Sequence, residues 1–146
     1  ALQSISCEWS ITEWADVDTS GADGANAVRQ PTTNAGTDTL GSVTLGAFAS
    51  VSNATDGAFK VAVANAEDLV AEVGFTELSD QGHGTPVGHL MSMYRTDVDL
   101  TVSASWTSSA EWQAIAAEIV AASGVTYARQ RGMSGGMRQM TGGLVG

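Results

Sequence analysis

One cysteine, one lysine and two prolines in 146 residues set the first limits on this chain. A lone Cys7 excludes an internal disulfide, and its place in an alternating stretch reads as a buried thiol rather than a nucleophile. Charged residues make up 15% of the chain, against about 25% in an average soluble domain. Such a surface has few of the charges that keep monomers apart. No apolar run approaches the roughly 18 residues that span a membrane, and no basic start leads into an apolar stretch. The chain is therefore expected to be soluble, without a leader and without membrane contact. Nucleophile motifs, phosphate-binding loops and Cys-x-x-Cys pairs are also missing, so neither an enzyme nor a cofactor is expected.

What fills the sequence is small residues together with a 43% hydrophobic share, a mixture that suits strands and tight interfaces. The length is that of one domain, taken here as 1–146 with a Gly- and Met-rich tail over 132–146. The net charge of −10 is unevenly spread. All 16 acidic residues lie at or before Glu118, where only Arg29, Lys60 and Arg95 oppose them, a net −13. The tail carries Arg129, Arg131 and Arg138, which suit docking on an acidic neighbour or on phosphate, or equally a solvated helix end.

Alternation marks the strands. Ile5, Cys7, Trp9 and Ile11 share one parity and Ser4, Ser6, Glu8, Ser10 and Thr12 the other, which predicts a half-buried strand over 4–14. Residues 16–38 hold Asp, Gly, Asn, Thr and Pro31 with few large apolar groups, and read as turns and a long surface connection. Val43, Leu45, Ala47, Ala49 and Val51 alternate again, as do Phe59, Val61 and Val63, and Asp56-Gly57 between them predicts the turn of a hairpin. One more strand is expected over 69–75, then a Gly-rich turn over 79–88.

From Arg95 to Trp106 the even positions Val98, Leu100, Val102, Ala104 and Trp106 are apolar, and the odd positions are polar. One face of this strand is expected to be covered and the other wet. After it the period changes. Ser108 with Glu111 reads as a capping box, and Trp112, Ile115, Ala116, Ile119 and Val120 recur at helical spacing up to Gly124. A shorter helix is expected over 125–131. The fold class expected is α+β: an antiparallel sheet of about five strands followed by two C-terminal helices. A helical stripe of that length cannot cover such a sheet alone, so a two-fold dimer is expected, with Trp106, Trp112, Ile115 and Ile119 at its seam.

The segment from Met93 to Gly124, MYRTDVDLTVSASWTSSAEWQAIAAEIVAASG, resembles the coat proteins of small positive-strand RNA bacteriophages (levivirus-like), in which a long last strand leads through a Ser/Thr-rich turn into a helix. The hairpin over 43–64 is similar to that family's preceding strand pair. The resemblance implies an N-terminal hairpin before the five-stranded sheet, an interlocked dimer assembling into an icosahedral shell in the bacterial cytoplasm, and an inner sheet face contacting single-stranded genomic RNA. Carried onto this chain, it makes Ser50, Lys60, Arg95, Thr101 and Ser103 candidate RNA contacts. The alternative is a decoration or tail-tube subunit of a tailed phage. His83 and His89, with Asp80, could in principle bind a metal; hydrogen-bonded or solvated histidines are the plainer reading, and no metal site is expected.

Overall fold

The alternation that begins near Val98 does not stop at Trp106. In a computed structural model, described for residues 8–84 and 87–123, the strand begins at Thr101, after an exposed Leu100. It resumes its alternation beyond an exposed interruption at 107–109 to reach Ile119, so the expected long helix is the second half of one strand. The elements are a short 3-10 stretch (Ala22–Ala27), then β1 (Val28–Thr44), β2 (Ala54–Val61), β3 (Val70–Ala71), β4 (Thr76–Gly84), β5 (Val87–Arg95) and β6 (Thr101–Ile119). Among the described residues 58% are in strands and no helix reaches seven residues, so the α+β expectation is corrected to an antiparallel, mostly-sheet domain. The expected second helix, Cys7 and the tail arginines lie outside the described residues.

The periodicity explains the error. Trp112, Ala116 and Ile119 satisfy a helix, but Trp112, Ala114, Ala116 and Glu118 satisfy a strand equally well. The structure buries this second set. Ile115, which a helix would bury, is 47% exposed. A carboxylate on the covered parity argues against a strand unless it finds donors, and Glu118 finds several.

The sheet order is β1-β6-β2-β5-β4, with β3 on the free side of the first half of β6. β1 and β2 do not pair with each other, so the expected hairpin is also corrected; both flank β6. The Asp56-Gly57 pair lies inside β2. A Cβ on Gly57 would come within 2.5 Å of Val102 Cγ1, so this glycine is there for close approach across the core and not for a turn. The Gly-rich stretch after Ser79 forms the paired β4 and β5, which match up to Gly84↔Val87.

Val102 touching Gly57 also shows that β6 is sharply bent. Gly57 pairs with Ala116, fourteen residues along β6 from Val102, a span of about 46 Å in a straight strand. The bend is a corner in the β1–β6 ribbon: from Asp38↔Ala110 to Leu40↔Ser105, β1 advances two residues while β6 advances five. The surplus residues of β6 begin at Thr107 and Ser108, whose N–H groups both donate to Glu67 Oε1 (2.5 and 2.6 Å). These bonds from the Ser108 and Thr107 N–H groups outweigh desolvation and lower the Glu67 pKa. Ser108 is thus held by a carboxylate at a strand corner, not by a helix cap.

Beyond the corner the ribbon folds back over the rest of the sheet, and the core fills the space between. Val43, Phe59, Val61, Met91, Met93 and Val102 are fully buried there. The indoles of Trp106 and Trp112 meet edge to face at 6.5 Å, and Trp112 also leans on Phe59 at 6.3 Å. β1 makes room for Trp112 with Gly36 and Gly41, where an added Cβ would sit 3.1 and 2.9 Å from the indole. The scarcity of large apolar groups that made 28–38 read as a connection is the requirement of an edge strand lying against a tryptophan.

No N-terminal hairpin forms among the described residues. Residues 8–14 cross the outer face of β2 and β5, where Lys60 bonds Glu8, Ser10 Oγ meets Ser92 Oγ at 2.8 Å, and Trp14 Nε1 donates to Asp56 Oδ2 at 2.7 Å. The expected parity is inverted, since Trp9 and Ile11 are 74% and 80% exposed. The segment lands on a face that offers hydroxyls and charges, so its polar side turns inward.

Candidate assembly surface

Two surfaces of this fold lack a covering element among the described residues. The first is the outer edge of β1. Only β6 pairs with it, and residues 31–40 are exposed apart from Thr32. Between Arg29 and Asp38 the segment QPTTNAGT carries no charge at all, in a chain of net −10. N–H and C=O groups without a strand partner along such an edge form a template for another strand, although one of them, the Ala35 N–H, donates to the side-chain oxygen of Asn34 at 2.9 Å. The opposite edge, β4, is blunted: it carries Glu77 and Asp80, and a bulge interrupts it between Glu77 and Ser79.

The second surface is the outer face of β6 and β2 between residues 8–14 and β1. Ala58 and Ile115 form its floor, Thr33 and Ala35 one wall, and Lys60 and Leu90 the other, around an open cavity of about 680 Å3. A shallower apolar continuation runs past Ala117 and Val28 to Trp14. The cavity lining is mixed, with Thr33, Asn34, Lys60 and Gln113 beside Ala35, Ala58, Leu90 and Ile115.

Trp14 holds one side of this groove through Asp56. Burial raises the Asp56 pKa, against the lowering effect of bonds from Trp14, Gly57 and Thr12. A folded-state pKa above the unfolded value favours folding below that unfolded value and loses its contribution as pH rises through the folded one. At neutral pH the carboxylate therefore costs stability relative to a neutral isostere. Asp56→Asn, whose amide oxygen can still accept from Trp14, is expected to leave stability at pH 7 unchanged or raise it by up to about 1 kcal/mol. Thermal melts at pH 4 and pH 7 check this, the gain appearing only at the higher pH.

The candidate RNA contacts are not brought together. Ser50 lies in the turn before β2, its hydroxyl accepting from the Ser52 N–H at 3.1 Å. Lys60 is on the outer face, paired with Glu8. Arg95 ends β5 on the opposite, core-side parity, across from Thr55; it bonds Asp97 at 2.5 Å and Asp99 at 2.7 Å, with Phe75 5.9 Å below its guanidinium. Thr101 and Ser103 sit on the folded-back half of β6, where the Ser103 hydroxyl donates to Glu72 at 2.8 Å. Both described cations of the set are thus matched to carboxylates.

Of the expected seam residues, Trp106 and Trp112 are in the core of their own chain and Ile119 is 5% exposed, which leaves Ile115 at the surface. Trp106 Nε1 donates to the Asp38 carbonyl at 2.9 Å. His89 is buried and its Nδ1 lies 2.9 Å from Asp80 Oδ1, while Asp80 Oδ2 accepts the Leu69 N–H at 2.9 Å. Asp80 thus anchors a loop, and the described residues hold no group of three metal-ligating side chains.

Sequence reasoning missed the β1 edge and the Glu118 cluster. The β1 edge did leave one signal, a Thr-rich uncharged stretch between Arg29 and Asp38. Known proteins add nothing to this placement. No protein-family model and no curated protein matches the sequence, and no solved structure matches the fold. The surface chemistry alone carries the functional reading.

Proposed function

We propose that this chain is a structural subunit of a virion, acting by association with copies of itself. The observation that carries the reading is the uncharged, unpaired edge of β1 on an otherwise acidic molecule. Net charge keeps the remaining surfaces of two copies apart, while this edge offers backbone bonds without repulsion. The groove floored by Ala58 and Ile115, with its mixed polar and apolar lining, adds contact area beside it.

Between the two kinds of virion protein, the geometry favours a decoration or tail-tube subunit of a tailed phage. The helix through which an RNA-phage coat dimer would interlock is strand here. Lys60 and Arg95 are each engaged by carboxylates, which supports no phosphate-binding face. Electron microscopy of the purified full chain tests the proposal. Tubes or uniform small oligomers without nucleic-acid absorbance are expected, closed shells holding RNA would restore the coat-protein alternative, and a monomer at every concentration would reject self-assembly.

A further inference from the structure

We propose that the partner on the β1 edge is a second copy of this chain, bound by antiparallel β1–β1 pairing about a two-fold axis at Asn34, with Arg29 of each copy opposite Asp38 of the other. The proposal rests on the self-association reading above and adds a register to it.

The register follows from three constraints. Residues directly opposed in an antiparallel pair point their side chains to the same face, so two copies of one strand can oppose only residues of equal parity. Every second N–H of an edge strand faces away from its neighbour. The Ala35 N–H, bonded to its own neighbour's Asn34 Oδ1 at 2.9 Å, marks Ala35 as outward-facing, and with it Thr33 and Thr37. An axis at Asn34 sets Thr33 opposite Ala35 of the second copy, and Ala35 opposite its Thr33, so outward groups meet outward groups and the Ala35 N–H exchanges Asn34 Oδ1 for the Thr33 carbonyl of the second copy.

The third constraint is the bulge in β1. Arg29 pairs with Glu118 and Thr32 with Ala116, so β1 spends three residues where β6 spends two. Beyond the bulge, Arg29 occupies the place that residue 30 would take in a regular strand. With the axis at Asn34, that place is opposite Asp38 of the second copy. Arg29 and Asp38 are both exposed and lie on the same side of the sheet, since their partners Glu118 and Ala110 share a parity. Moving the axis by one residue places Arg29 opposite Gly36 or Leu40 and loses both ion pairs.

The ends of the stretch limit it. Pro31, in the bulge, has no N–H to offer, and the corner after Asp38 turns the strand away. Pairing is confined to the segment between them and uses the same edge of both copies, which closes a dimer rather than opening a fibre. The uncharged segment between Arg29 and Asp38 then falls at the centre and the two reciprocal ion pairs at its ends.

Sedimentation velocity on the full chain tests the register. R29D sets two carboxylates opposite each other and D38R two guanidinium groups, each twice per dimer, so each single variant is expected to weaken dimerisation about tenfold or more. The double variant R29D/D38R restores the pairs in reverse and returns the dimer constant to near that of the parent chain. Loss through misfolding cannot produce this pattern, because the double variant restores neither the attraction of Arg29 for Glu118 nor the Asp38 Oδ1 bond to the Thr39 N–H. A parent oligomer whose constant is unmoved in both single variants, or not recovered in the double, overturns the register and leaves the structural role standing. A parent chain that stays monomeric overturns both.

Discussion

Replacing Trp112 with alanine lowers the unfolding free energy by about 4 kcal/mol, the cost of removing a large aromatic side chain from a core that cannot close over the gap. The site has little means of collapse. Gly36 and Gly41 bring the β1 backbone against one side of the indole, and Phe59 and Trp106 stand against the rest. Backbone atoms in a paired strand cannot move inward without breaking the ladder with β6. Urea unfolding followed by tryptophan fluorescence and circular dichroism measures the loss as a lower midpoint at unchanged slope. A pair of milder variants separates shape from hydrogen bonding. The Trp112 indole N–H is buried without a partner, whereas that of Trp106 donates to the Asp38 carbonyl. Trp112→Phe is therefore expected to cost less than Trp106→Phe, by about 1 kcal/mol, the worth of one such bond.

Glu118→Leu is expected to cost about 3 kcal/mol, although it puts an apolar side chain into a covered position. The Glu118 carboxylate is fully buried and accepts from Gln30 Nε2 at 2.7 Å, from the Ala49 N–H at 2.9 Å and from Asn53 Nδ2. Leucine of similar volume takes the acceptor from the buried Asn53 amide and from the Ala49 N–H and leaves Gln30 Nε2 only the Ala47 carbonyl, and a stranded buried donor costs more than the net worth of its bond. Gln30 is held at φ 50, inside the bulge of β1, by these contacts and a bond to the Ala47 carbonyl at 3.0 Å. Loss of Glu118 is therefore expected to loosen the bulge that sets the position of Arg29.

The same carboxylate gives stability a pH dependence. Burial raises its pKa, but the bonds from Asn53, Gln30 and Ala49 and the charge of Arg29 outweigh burial and hold it below the ordinary glutamate value. The lowered folded-state pKa means that its contribution is complete above the unfolded value, about 4.3, and is lost as pH falls through the folded one. The acid limb of the stability curve should be steeper for the parent chain than for Glu118→Leu, the two converging as pH drops below about 4. Equal slopes in that window would show that folding leaves the Glu118 pKa unshifted, and a shallower slope for the parent chain would show that burial outweighs the bonds and raises it.

Several covered faces were legible from residue order alone. Val43 and Leu45, Phe59, Val61 and Val63, and Val102, Ala104 and Trp106 are buried on the parity their alternation predicts. The same alternation ran too far at the ends: Ala47, Ala49, Val51 and Leu100 share the apolar parity of these stretches but lie outside the strands and are exposed. The segment after Ser108 offered two readings, and the choice turned on whether Glu118 could be tolerated indoors. That depended on Gln30 and Asn53, 88 and 65 residues away in sequence. The N-terminal segment failed for a related reason: Trp9 and Ile11 alternate as a covered strand does, but the surface beneath presents Lys60, Ser92 and Asp56 and draws the polar side instead.

The candidate surface was less legible than the fold. Residue order shows an acidic chain poor in charge overall, in which the interval between Arg29 and Asp38 is one of several without charge. It does not show that the interval is a strand, because β1 gains its stability from Trp112 and from pairing with β6, both distant in sequence. Residue order thus determined which sides of β2 and of the first half of β6 face inward, since a period of two needs no partner to be read. The tertiary structure decided the rest: the second half of β6 as strand, the corner held by Glu67, and β1 as an open edge. Each of these depends on a buried or bent group finding donors or space supplied by residues far along the chain, and local sequence carries no record of such meetings.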